Sequence, residues 1–153
     1  MSLLTDIIFV KALRSNEELM SMLPAGDVHN TSIALPDIDL DNAELPYIIV
    51  TFDGLQNEDA TKDCSFEGET DRVQIGVEIA AKTRGKLGEL AVLCRQTIRA
   101  YFEDVTSDVE DYNLVPNDYT FTAQAVQYDP DKPCYWQTLN FSCDTNLDTD
   151  EQN

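Results

Sequence analysis

Four cysteines, one histidine and a large excess of carboxylates are the residues of this chain that could do chemistry. Cys64, Cys94, Cys134 and Cys143 form no Cys-x-x-Cys pair, so neither a zinc site nor a redox dithiol is spelled out. Cys134 and Cys143 on one strand would stand about 30 Å apart, at roughly 3.3 Å per residue, too far to bond. Cys94 falls on an apolar helical stripe, where an inert buried thiol is the ordinary outcome. His29 is the only histidine and lies among polar residues, where a lone imidazole is usually unemployed. Asp37, Asp39 and Asp41 imitate the start of a calcium loop. Asn42 stands where that loop needs glycine and Ile48 where it needs a bidentate glutamate, so a solvated acidic loop is the better reading. Gly85-Lys86-Leu87-Gly88 has neither the spacing nor the Ser/Thr of a phosphate loop. Tyr128, Tyr135 and Trp136 could form an aromatic patch, with core or edge packing the commoner use. The sequence therefore predicts no catalytic, cofactor-binding or metal-binding residue and no enzyme.

The carboxylates act through their number. The 153 residues carry 29 acidic and 10 basic side chains, a formal net charge of −19. Nucleic acid and anionic membranes would be repelled. Three readings survive: solubility alone, a protein that must not hold DNA passing close by, and an acidic mimic of DNA. Hydrophobic content of 42% supports a real core. No apolar run approaches the roughly 20 residues of a membrane helix. The first residues lack a basic region and a small-residue cleavage site, so no signal peptide is expected and the cysteines are expected to stay reduced in a cytoplasm.

The elements that must position these side chains centre on residues 71–102. Val73, Ile75, Val77 and Ile79 recur every second residue and predict a half-buried strand. Leu87, Leu90, Ala91, Cys94, Ile98, Tyr101 and Phe102 then fall at helical spacing, with Thr83 as the predicted cap. Residues 2–23 predict a helix in two pieces, with Ser15 and Glu18 as a capping box. Residues 46–52 predict a strand that Pro46 opens. Residues 53–70 read as an 18-residue connection with six acidic residues and one lysine. Strands are predicted at 119–128 and 135–143. In the latter, Tyr135, Leu139, Phe141 and Cys143 share one face and Trp136, Thr138, Asn140 and Ser142 the other. The predicted architecture is one α+β domain over residues 1–143: an antiparallel four-stranded sheet, two main helices on one face, a long acidic inter-strand loop, and a disordered acidic tail at 144–153.

Charge sign is uneven along the chain. Six of the ten basic residues lie between Arg72 and Arg99. A basic unit on an otherwise acidic protein can meet a second copy head to side, a heterologous contact that closes into a ring or runs on as a filament. Local ion pairs along one helix are the plainer alternative. The candidate interface residues are Phe66, Arg72, Lys82, Arg84 and Lys86.

The ordered pieces resemble a known family. They are the amphipathic first helix, the Ser15-Asn16-Glu17-Glu18-Leu19 restart, the pause at Pro24-Ala25-Gly26, the Leu45-Pro46-Tyr47-Ile48 strand entry, and Arg72-Val73-Gln74-Ile75 leading into the helix at 84–102. In order and pattern, over residues 3–143, they look like the tail-completion or tail-terminator proteins of long-tailed bacteriophages. The resemblance implies a non-enzymatic virion protein, assembled in the host bacterial cytoplasm. Such a protein forms a ring, commonly hexameric, that ends the tail tube and joins it to the head connector. Its partners would be its own copies, the tail-tube protein and the head-connector protein, with DNA passing through unbound. The acidic 53–70 segment and the acidic tail depart from the pattern. An acidic DNA-mimic inhibitor and a small enzyme stand as the alternatives.

Overall fold

The computed structural model describes residues 5–24, 33–36, 44–59, 69–103 and 114–146. Helix α1 (Thr5–Arg14) buries Ile8, Phe9, Ala12 and Leu13. Helix α2 (Glu17–Ser21) follows after a two-residue break. Its cap is Asn16, whose Oδ1 accepts from the Leu19 amide at 3.1 Å. The expected cap, Ser15, still belongs to the last turn of α1, because its amide bonds to the Lys11 carbonyl and its Oγ donates to the Ala12 carbonyl at 2.6 Å. Asn16 does a second thing: its Nδ2 donates to Thr97 Oγ1 at 2.7 Å, which ties the helical break to the long helix behind it.

The sheet corrects the four-stranded antiparallel expectation. It has six strands and is mixed: β1 (Ile33–Ala34), β2 (Tyr47–Asp59), β3 (Glu69–Ala81), β4 (Leu114–Ala123), β5 (Gln127–Asp129) and β6 (Cys134–Asn146). The order is β1-β2-β3-β6-β4, with β5 also on β6. Strand β1 is parallel to β2, pairing Ile33 with Ile48 and Ala34 with Ile49. It is two residues long and carries no alternation to read. What holds it is Arg14, whose Nε and Nη2 donate to the Ile33 carbonyl at 3.1 and 2.6 Å. The predicted strand at 119–128 is divided, because residues 124–126 leave the ladder before β5 resumes on β6. Pro116-Asn117-Asp118, read as turn residues, instead lie within β4 between Val115 and Thr120, where the register with β6 shifts. An irregularity is where a strand tolerates proline.

The 18-residue connection is also corrected. The β2–β3 ladder continues unbroken in direction from Tyr47–Ala80 to Asp59–Glu69, with one bulge between Phe52 and Gly54. Backbone pairing needs no side-chain alternation, so polar residues hide it from periodicity. Residues 60–68, and with them Cys64 and Phe66, lie outside the described residues. So do His29, Asp37, Asp39 and Asp41. Strand β6 runs on to Asn146, pairing Asp144, Thr145 and Asn146 with β3.

Helix α3 (Arg84–Glu103) starts as expected, with Thr83 Oγ1 accepting from the Lys86 amide at 3.2 Å. Leu87, Leu90, Cys94 and Ile98 are buried against Val73, Ile75, Val77 and Ile79 in one core with α1. Phe9 and Phe141 meet edge to face at 5.5 Å, Phe121 packs on Phe141 at 5.2 Å, and the Arg95 guanidinium stands 4.4 Å over the Phe121 ring. Both long helices and this core lie on one face of the sheet. The other face carries Tyr47, Ile49 and Thr51 of β2, Gln74, Gly76, Glu78 and Ala80 of β3, Trp136, Thr138, Asn140 and Ser142 of β6, and Thr120 and Thr122 of β4. No helix among the described residues is long and apolar enough to cross a membrane.

Candidate functional site

Lys82, Arg84 and Lys86 occupy the turn between β3 and the first coil of α3, within five residues of one another. Lys82 and Arg84 are exposed and Lys86 is half-buried. The turn forms because β3 ends at Ala81, buried under the helices, and Thr83 then caps α3. Placing cations at a helix N-terminus is electrostatically unfavourable, because that end of the macrodipole is already positive. Among the described residues, the side chains of these three make no hydrogen bond, ion pair or ring contact. The other described cations are engaged. Arg14 holds β1, Arg72 Nη2 donates to Thr120 Oγ1 at 3.2 Å, Arg95 covers Phe121, and Lys11, Arg99 and Lys132 have partners of their own. Sequence named Arg72 with the turn as an interface residue; the fold separates them, since Arg72 lies near the opposite end of β3, on the open face.

The open face has two halves. One is apolar: Tyr47, Ile49 and Ala80 are buried together, with Leu45 and Trp136 packed against them. Lys132 Nζ stands 5.6 Å from the Tyr47 ring centroid. Glu78 shares this corner, and its burial raises the carboxyl above the ordinary carboxylate range. Burial, then the Glu78 charge, raises the Tyr47 hydroxyl, and burial with the Asp129 charge raises the Cys134 thiol. A thiol held protonated is a poor nucleophile. Cys94, deep in the helical core, is pushed up to about 12 by burial and is more inert still. Cys143 is likewise buried and forms no disulfide among the described residues.

The other half of the open face is polar and concave. A hollow of about 230 Å3 is lined by Asp53, Gln74, Thr120, Thr122, Asn140 and Ser142, over the flanks of Ile75 and Phe141. The β2 bulge delivers Asp53 to it. Thr51 Oγ1 donates to Asp53 Oδ1 at 2.9 Å and fixes the carboxylate. Gly76 makes the arrangement possible: a Cβ there would lie 2.6 Å from Asp53 Oδ2 and 2.7 Å from Thr51 Oγ1. Ser142 Oγ is buried without a hydrogen-bond partner among the described residues. Sequence reasoning put Asn140 and Ser142 on one strand face but named none of these as site residues. The one available signal was Gly76 inside an otherwise apolar alternation, which marks close approach of another group.

A second concavity, about 450 Å3, lies between α2 and α3, with Met22, Val92 and Leu93 in it and Glu18 and Glu89 beside them. Among the described residues no three of His, Cys, Asp and Glu gather as metal ligands. Set against protein-family models and curated proteins, the chain matches none.

Proposed function

We propose that this protein is a structural ring former that ends a bacteriophage tail tube and joins it to the head connector. The observation that carries the reading is the unpartnered cationic turn, Lys82, Arg84 and Lys86, on a chain of net charge −19. Three cations kept together without partners among the described residues, at the end of a helix that disfavours them, make sense when a neighbour supplies the anions. Identical copies joined through unlike patches form a heterologous contact, and a closed ring is its finite outcome. The tail tube and head connector enter this reading from the resemblance of the sequence pieces alone. A negative ring around a DNA conduit would let DNA pass without adhering, because phosphates and carboxylates repel.

The test is electron microscopy of the protein mixed with purified tail tubes, together with light scattering of the protein alone. The expected result is a ring added at one tube end, and an assembly that weakens as salt rises, since exposed charges are screened beyond about 8 Å at physiological ionic strength. The double reversal Arg84→Glu with Lys86→Glu should abolish the ring and leave the monomer's thermal midpoint within a degree or two. Tubes without an added ring, and a strictly monomeric protein, would reject the reading and favour an acidic DNA mimic, which a DNA-competition assay would then expose.

A further inference from the structure

The polar hollow presents one carboxylate among neutral hydroxyls and amides. Asp53 is its sole charged lining group among the described residues. One carboxylate oxygen accepts from Thr51, and the other, Oδ2, lies over Gly76. The remaining lining groups are hydroxyls and amides, and each offers an acceptor oxygen. Ser142 Oγ is a buried hydroxyl without a partner among the described residues, and a donor that entered the wall there would satisfy it. Arg72 is engaged with Thr120 and is not among the lining residues. A planar guanidinium matches such a set better than an ammonium, because its five donors fan out in one plane toward several oxygens at once.

We infer that the hollow around Asp53 seats the guanidinium of Arg84 from a neighbouring copy of this chain. The inference rests on the ring reading above and names its two surfaces. Charge complementarity selects the occupant: Arg84 is the one described arginine whose side chain has no partner among the described residues, and Lys82 and Lys86 flank it. The hollow and the turn lie on different parts of the fold. The hollow belongs to the open sheet face beside the β2 bulge, and the turn to the end of β3 where α3 begins. One copy can therefore offer its turn to one neighbour and its hollow to another, as a heterologous contact requires.

The full-length protein tests this by charge exchange. Asp53→Arg alone and Arg84→Glu alone should each raise the dissociation constant of assembly at least about tenfold, because each leaves like charges or an unpaired charge in the contact. An equimolar mixture of the two variants should assemble again. In an alternating ring every contact is then either the native Asp53–Arg84 pair or the reversed Arg–Glu pair. Two gentler variants guard against misfolding. Asp53→Asn keeps the shape without the charge. Ser142→Ala removes the unpartnered hydroxyl, should leave the monomer's thermal midpoint unchanged or higher, and should weaken assembly roughly five- to tenfold. Should Asp53→Arg and Ser142→Ala assemble as the wild type does while the Arg84 and Lys86 reversal still prevents assembly, the hollow is not the seat, and the ring reading stands without it. Should Asp53→Arg form rings but fail to attach to tubes, the occupant belongs to the tube protein and the inference falls. A wild-type protein that stays monomeric with and without tubes overturns both.

Discussion

The two faces of the central sheet are made by alternate residues of the same strands, yet they have opposite characters. On β3, Val73, Ile75, Val77 and Ile79 are fully buried under α1 and α3. The residues between them, Gln74, Gly76 and Glu78, look the other way into a face with an apolar corner and a polar hollow. The covered face is uniform because it has one task, removing hydrocarbon from water. The open face is uneven: a raised carboxyl, a buried hydroxyl without a partner and a glycine chosen for clearance lie within a few rungs. Groups that lower stability where they stand are candidates for contact with something else. The cationic turn joins the two faces, because it lies where the strand leaves the sheet and the covering helix begins.

Substitutions can sharpen that contrast. The largest effect is expected on the covered face. Leu90 is fully buried between α3 and the sheet, so Leu90→Ala should cost about 2–5 kcal/mol in urea unfolding. A loss below half a kcal/mol would mean that the helix does not seal that face. On the open face, Gly76→Ala should cost about 1–3 kcal/mol, because the new methyl displaces Asp53 and Thr51 from their places over the strand. A neutral result would show that the carboxylate swings aside freely and that the hollow is loosely built.

The smallest effect is expected at Glu78, and it depends on pH. Burial raises its folded-state pKa above the unfolded value. A carboxyl shifted upward favours the folded state fully below the unfolded pKa, and that contribution is lost as pH rises through the folded pKa. Glu78→Gln should therefore raise the thermal midpoint modestly at pH 7 and leave it nearly unchanged at pH 4. Melting curves across that range would check the sign, and an equal shift at both pH values would mean that the charge is not involved.

The covered face was the legible half of this protein. Strict alternation from Val73 to Ile79, helical spacing from Leu87 to Ile98, the Thr83 cap and the two faces of β6 all state local rules that the tertiary structure then obeys. Strand β1 was illegible because Ile33 and Ala34 become a strand only when Arg14 and Ile48 arrive from elsewhere in the chain. The length of the β2–β3 ladder was illegible because backbone hydrogen bonds leave no mark on polar side chains.

Sequence by itself determined the α+β class, the acidic excess, and the grouping of Lys82, Arg84 and Lys86 within one turn, since each follows from composition or from neighbours along the chain. Tertiary structure alone decided that those three cations have no partner among the described residues, and that Asp53, Gln74, Thr122, Asn140 and Ser142 share one hollow. The reason is physical: a helix or strand period reports which face a residue takes, whereas strand order and a one-residue bulge decide which faces meet.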